Sequence, residues 1–557
     1  MWRIWTVFIF ICSVFISIVF RLFYWQIVRG DYFRTQAASQ YYQEFLLPAK
    51  RGSILANDMK PLVISQVAHL VYAEPKKIAN PEKLAGDITS ILSIDKQEIL
   101  SKLTNRDKAW VALAHRVEYS KTDLLKSFQS QGIGFEQDSK RYYPEASMAS
   151  HLLGFVGYDD QGRDKGYFGL EGYYDRELTG KSGKLQLEKD ARGSPILISD
   201  SVRIEPEDGR TLVLWVDRTI QRAVEERLSE AITKYGAKEG SIVVIDPKTG
   251  GVIAMVHAPS YDPAMYTSYA KDLYKNPIVN GAYEPGSTFK TLVMAAAIEE
   301  NLITPITTVD EKGPVKVGDY TIRTWNNEYH GQMTTSQILE YSSNVGMVHV
   351  SKKLGKEKLV TYISYFGFGE KTHIDLEDEA TPLLRDINEW KEIDLATASF
   401  GQGIAVTPIQ MVTAVASLAN GGFLMEPHLV KEIRDSSGKV YTIKPKTIRR
   451  IVSQKTADTV TEMMVSAVDN GEAKWAKPKG YRIAGKTGTA QIPVAGHYDA
   501  DKTIASFVGF GPSDNPRFVM LVTLREPTTS PWGSETAAPL FFSIARDIFG
   551  YYGIAPQ

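Results

Sequence analysis

At 557 residues, 43% hydrophobic and 23% charged, the chain has an ordinary globular composition with material for two or more cores. A net charge of -1 gives no support to a nucleic-acid partner. The single cysteine, Cys12, excludes an intrachain disulfide and any cysteine-based metal cluster.

Residues 4–20 carry no charge, and 22–28 extend this run past Arg21 with Phe23, Tyr24 and Trp25 as an aromatic belt. The stretch is long enough to cross a bilayer. No small-x-small cleavage site follows it directly, which favours an uncleaved anchor over a signal peptide. Arg21, Arg29 and Arg34 outweigh Arg3 and the amino terminus, so flanking charge alone points the body towards the cytoplasm. Long domains translocate regardless of that count.

From Gly30 to about Asp208 the sequence is polar and mixed, without a catalytic constellation, and reads as a spacer or docking module. Arg51-Gly52-Ser53-Ile54 begins a strand-like segment and 57–61 a turn. His151 and Glu171 lack partner motifs and are read as hydrogen-bonded structural residues. The turn-former cluster Glu205-Pro206-Glu207-Asp208-Gly209 marks a boundary. After it come a strand over 211–216, a helix over 219–235 and a hairpin, 241–245 with 252–257, turning at Pro-Lys-Thr-Gly-Gly. Further strands are predicted at 481–484, 489–492, 504–510 and 517–524, with a closing apolar helix at 540–549. Strands at both ends around a helical middle predict an α+β fold, one antiparallel sheet packed on helices.

In Glu284-Pro285-Gly286-Ser287-Thr288-Phe289-Lys290 the Pro-Gly pair sets a turn, and the alanine-rich run 292–299 reads as a helix. Ser287 then sits at the helix start with the Lys290 amine on the same face, a nucleophile with a base beside it. An unperturbed lysine, pKa about 10.4, is neutral in only roughly one molecule in 2,500 at pH 7. Burial or a second cation must therefore depress Lys290. The spacing also arises by accident, as Ser268/Lys271 and Ser436/Lys439 show.

Two more elements complete the set. Ser342-Ser343-Asn344 closes the segment 334–341 and precedes a helix, and Lys486-Thr487-Gly488-Thr489 lies among C-terminal strands, where glycine lets a substrate approach the backbone. Each has a twin, Ser513-Asp514-Asn515 and Lys248-Thr249-Gly250, that turn chemistry explains.

The set Ser287/Lys290, Ser342/Asn344 and Lys486/Thr487/Gly488/Thr489 resembles the penicillin-recognising serine transpeptidases in order and broad spacing. Ser399-Phe400-Gly401-Gln402-Gly403-Ile404, with Thr407-Pro408, Gln410 and Asn420-Gly421-Gly422, is similar to the segment these enzymes carry between their second and third motifs. Arg51-Gly52-Ser53-Ile54 and Gly169-Leu170-Glu171 resemble the pedestal of class B penicillin-binding proteins, which are membrane-anchored and lack a glycosyltransferase domain. No Glu-Asp-x-x-Phe stretch, expected of the class A proteins, is present. One departure is Leu55-Ala56-Asn57-Asp58-Met59-Lys60 where the family has an Asp-Arg-Asn-Gly turn, which puts the pedestal's partner contacts in doubt.

The resemblance implies an anchor (1–29), an elongated mixed α/β pedestal (30–208) and a transpeptidase domain (209–557). It implies attack by Ser287 on the penultimate D-Ala carbonyl of a peptidoglycan stem peptide, with Lys290 as base and the Ser287 and Thr489 backbone N–H groups as oxyanion hole. Ser342 would relay the proton, Asn344 would hold a peptide amide, and Lys486, Thr487 and Thr489 would bind the terminal carboxylate. β-Lactams would inhibit, and a membrane-embedded polytopic glycosyltransferase would be a partner. The substrate lies outside the cytoplasmic membrane, so the catalytic body is expected there too, against the arginine count. The stretch Asn280-Gly281-Ala282-Tyr283-Glu284-Pro285 leans towards the septal over the side-wall type. No metal or organic cofactor is implied, since the site's groups are hydroxyls, amines and one amide. A carboxypeptidase or β-lactamase using water, and a penicillin sensor or non-catalytic scaffold, are the rival readings.

Overall fold

The computed structural model describes residues 1–128, 130–188, 202–494 and 497–556. Met1–Arg51 with Thr179–Gly209 form one compact unit, and Gly52–Leu178 with Arg210–Gln557 a second.

In the first unit the helix Trp2–Phe23 runs on as a π-helical turn, Tyr24–Val28. The most apolar 18-residue window within Trp2–Val28 has a mean hydropathy of 2.5 and is 0% buried. The helix is long and apolar enough to cross a membrane. The helix Gly30–Tyr41 follows. A three-stranded antiparallel sheet joins Tyr42–Leu47, Gly183–Glu188 and Val202–Ile204.

The centre of the second unit is a five-stranded antiparallel sheet in the order Val252–Ala258, Glu239–Ile245, Phe518–Arg525, His497–Gly511, Ala484–Val494. The first and last stretches of residues 239–525 thus share one sheet, as the strand pattern predicts. Its strands read as near-continuous apolar runs because both faces are buried. Val243, Ile245, Val508, Phe510, Val519 and Leu521 pack with the helices Lys290–Glu299 and Pro408–Ala419. Their alternates, Ile242, Val244, Phe507, Phe518, Met520 and Val522, pack against Arg218–Tyr235 and Ala537–Tyr551. The two-residue period of a strand sends successive side chains into different cores.

The structure differs from the expected strand set in two places. Thr211–Leu214 is not in this sheet: it pairs in parallel with Ile54–Leu55 and antiparallel with Val430–Arg434, in a separate seven-stranded sheet. The expected strands 481–484 and 489–492 are one strand, Ala484–Val494, and 481–483 stay outside it.

His151 and Glu171 have the structural roles read from the sequence. His151 Nε2 bonds Leu273 O at 2.9 Å, and burial pulls its pKa down to about 4, so the ring is neutral. Glu171, 0% exposed, accepts from Arg141 Nε at 2.7 Å, and Arg141 Nη1 donates to Ser65 Oγ at 2.9 Å.

Candidate active site

Gly286–Phe289 forms a turn of 3-10 helix that runs into the helix Lys290–Glu299. Thr288 Oγ1 ties the turn back to Pro285 O at 2.6 Å, and Gly286 N–H donates to Gly401 O at 3.0 Å. The segment around Gly401 therefore braces the serine turn from behind. Helix residues 290–297 are buried on every side, which explains the alanine-rich composition.

The second motif lies between two short helices, Thr335–Glu340 and Asn344–Leu354. Ser343 caps the second helix, accepting from Gly346 N at 2.8 Å, and its hydroxyl donates to the buried carboxylate of Glu311. Ser342 has φ 54°, a left-handed conformation that is costly for a residue with a side chain. This sharp turn presents both its carbonyl and its hydroxyl to Lys290.

Lys290 is 0% exposed. Its Nζ bonds Ser342 O at 2.5 Å, Asn344 Oδ1 at 2.8 Å and Ser342 Oγ at 3.4 Å. Asn344 Nδ2 donates to Arg323 O at 3.2 Å, which fixes the amide with its oxygen towards the lysine. The carbonyl and amide oxygens can only accept, so they take two N–H bonds. A neutral amine has two, and its lone pair is left for a hydroxyl. Burial first, and the Lys486 charge second, hold Lys290 well below the usual lysine range, against the opposing pull of Glu472 and Glu311. Both of the expected causes, burial and a second cation, act on Lys290. Among the described residues the hydrogen bonds of Nζ run to the second motif, while Ser287 lines the same cleft. Bonds between base and nucleophile often tighten only when substrate binds.

The third motif lies on Ala484–Val494, the edge strand of the central sheet, where it faces the serine turn. Lys486 is 3% exposed, with Nζ 3.0 Å from Thr487 Oγ1, and burial lowers its pKa to about 8. Thr489 Oγ1 accepts from Gly533 N at 3.0 Å, so its own proton is free to donate. A Cβ on Gly488 would come within 2.4 Å of Ser506 Oγ, 2.9 Å of Thr288 Cγ2 and 3.2 Å of Pro285 O. Gly488→Ala must push the strand off the serine turn, and acylation by a fluorescent penicillin should fall about 10²-fold with protein yield maintained. Labelling within a factor of about two of the parent would refute this close-approach account.

All three motifs meet in one cleft, lined by Ser287, Ser342, Asn344, Thr487, Gly488 and Thr489. It also takes in residues the sequence did not single out: Trp325, Trp532 and Glu472. Trp325 and Trp532 meet edge to face, with centroids 4.8 Å apart. None of the three has a motif; they arrive from separate loops. Phe400 and Gln402, in the stretch quoted from the family resemblance, are on the same wall.

The twin motifs stay away from this cleft. Lys248-Thr249-Gly250 is the turn of the Glu239–Ile245/Val252–Ala258 hairpin, and Ser513-Asp514-Asn515 the loop after His497–Gly511. The two touch each other, Lys248 Nζ donating to Asn515 Oδ1 at 2.9 Å. Ser268, Lys271, Ser436 and Lys439 are exposed.

A central antiparallel sheet between two helical layers, with a serine at a helix start, a buried lysine and a cationic edge strand, is the framework of a serine acyl-transfer protein. The chain belongs to the penicillin-binding protein transpeptidase family: residues 240–549 match the model of the penicillin binding protein transpeptidase domain, and 46–214 that of the penicillin-binding protein dimerisation domain. It is 34% identical to stage V sporulation protein D of Bacillus subtilis over 100% of this chain and 86% of that protein. It is 29% identical to the peptidoglycan D,D-transpeptidase FtsI of Escherichia coli, covering 91% and 84% of the two chains. Penicillin binding protein 2X of Streptococcus thermophilus superposes with a TM-score of 0.77 at 27% identity, covering 91% of this chain and 80% of that one.

Proposed function

We propose that this chain is a peptidoglycan D,D-transpeptidase that works through a Ser287 acyl-enzyme and is inhibited by β-lactams. The observation that carries the reading is Lys290, fully buried beside a second lysine, with two obligate acceptors for its protons and a lone pair left over. Lys290 takes the Ser287 proton as Oγ bonds the penultimate D-Ala carbonyl carbon. Ser342 passes that proton to the departing D-Ala nitrogen as the C–N bond breaks. The backbone N–H groups of Ser287 and Thr489 hold the oxyanion, where one donor is worth about 2.7–4 kcal/mol. Lys486, Thr487 and Thr489 bind the terminal carboxylate, with Gly488 allowing close approach, and Asn344 contacts a donor amide. An amine of a neighbouring stem peptide then attacks the ester.

In this reading residues 1–29 are a cytoplasmic tail and single-pass anchor, 30–208 a docking domain and 209–557 the catalytic domain. The apolar helix Trp2–Val28 supports the anchor. The catalytic body stands outside the cytoplasmic membrane, where its substrate is. A polytopic glycosyltransferase supplies the strands to be linked, in septal rather than side-wall synthesis.

The test is covalent labelling by a fluorescent penicillin, read by gel and intact mass, on the parent and on Ser287→Ala, Ser268→Ala and Ser436→Ala. Loss of label in Ser287→Ala alone is expected. A folded parent without label, or full labelling of Ser287→Ala, would overturn the assignment.

A further inference from the structure

The cleft is built around cations. Lys290 and Lys486 suit a donor that carries a terminal carboxylate and loses it with the departing D-Ala. The second substrate is of the opposite kind: the side-chain amine of a stem peptide is an ammonium ion in water. Among the described residues lining the cleft, Glu472 is the only acid.

Its position is held from two sides. Glu472 follows the helix Gln454–Asn470 after a single glycine. Ser466, on that helix, donates its hydroxyl to Glu340, at the end of the helix leading into Ser342. Gly471 packs so closely there that a Cβ would lie 2.3 Å from Ala467 O and 2.8 Å from Glu340 O. Glu472 is thus fixed beside the second motif. Its Oε1 is buried and has no hydrogen-bond partner among the described residues, and the Trp325 indole lines the cleft beside it. A buried carboxylate oxygen left without a donor is costly, and a donor brought by a ligand removes the cost.

We propose that Glu472 receives the acyl acceptor: its carboxylate binds the incoming ammonium group of the second stem peptide and takes one of its protons, so that a neutral amine attacks the Ser287 ester. This rests on the transpeptidase reading above. The balance is simple. One ammonium proton moves to Glu472, and the nitrogen lone pair forms the new C–N bond. The ester C–O bond breaks, and a second nitrogen proton passes through Lys290 to Ser287 Oγ. Products are the cross-link amide and the free serine, and the proton on Glu472 leaves to solvent.

The charges facing Glu472 are Lys486 on the edge strand and Lys290 on the serine helix, beside the neutral Trp325 indole. The Glu311 charge also acts on Lys290. Burial raises the Glu472 pKa above the ordinary carboxylate range, and the two lysines oppose that shift. The group is therefore a better proton acceptor than a surface glutamate.

The experiment uses the detergent-solubilised full chain, a thioester donor ending in acyl-D-Ala, and stem peptides carrying a free lysine or diaminopimelate side-chain amine. Parent, Glu472→Gln and Glu472→Asp are compared for penicillin acylation and for the ratio of amide product to hydrolysed donor. Glu472→Gln should still be acylated, with the rising limb of its pH profile moved to lower pH because a charge that favours protonated Lys290 is gone. Its aminolysis-to-hydrolysis ratio should fall by about 10²-fold, with the acceptor KM raised and the acidic limb of aminolysis lost. Glu472→Asp should recover part of the ratio. An unchanged ratio in Glu472→Gln overturns the proposal. So does a selective loss of hydrolysis, which would make Glu472 a base for water. A parent that is acylated yet transfers to neither amine overturns the transpeptidase reading itself, and with it this inference.

Discussion

Lys290→Met should lower the second-order rate of penicillin acylation by about 10²- to 10⁴-fold while leaving thermal unfolding close to that of the parent. Methionine matches the length of the buried stem and brings no charge into a site that is 0% exposed. What disappears is the amine that bonds Ser342 and Asn344 and that, in the proposed mechanism, accepts the serine proton. Acylation within about tenfold of the parent would show that another group is the base.

The pH profile of the parent follows from the two lysines together. Lys290 must be neutral to accept a proton, and its pKa is depressed, so acylation rises as pH passes through a value well below the usual lysine range. In the proposed mechanism Lys486 must be charged to hold a carboxylate, and its pKa is lowered to about 8, so the rate should fall again above that pH. A bell with its alkaline limb near 8 is the expected result. A rate still rising at pH 10 would remove Lys486 from carboxylate binding.

The second large effect concerns stability. Glu171→Ala should cost about 3–5 kcal/mol, because it leaves the Arg141 guanidinium buried without its carboxylate. Arg141 is 5% exposed and bridges Glu171 and Ser65, joining the strand Ile133–Tyr142 to the helix Gly169–Tyr173 and the strand Pro61–Ala73. Replacing both partners with apolar residues, Arg141→Met with Glu171→Leu, should recover most of the loss, since no uncompensated charge remains. Denaturant unfolding of the three variants reads this directly. A Glu171→Ala midpoint equal to that of the parent would mean that the pair contributes nothing.

Much of this molecule is legible in the chain because it is local. A serine and a lysine three residues apart share a helical face whatever surrounds them, and the Pro-Gly turn before Ser287 marks the helix start. The twin motifs can be set aside for the same reason, since the turns at Lys248-Thr249-Gly250 and Ser513-Asp514-Asn515 follow from their own Gly and Pro residues. The hairpin 239–258 and the closing helix show their apolar runs directly. Strand 211–214 is harder, because an apolar run gives a strand but not its neighbours, and its partners are more than 150 residues upstream and 200 downstream.

By itself, then, the sequence determined the apolar anchor-length helix, the order of the three motifs and the need for a second cation near Lys290. Only the tertiary structure decided how that need is met: the depth of Lys290, the left-handed turn at Ser342 that gives it two acceptors, and the approach of the edge strand to the serine turn. It alone brought Glu472, Trp325 and Trp532 into the cleft. Burial and the convergence of distant loops depend on how the sheet packs against its helices, and no spacing within a single segment encodes that.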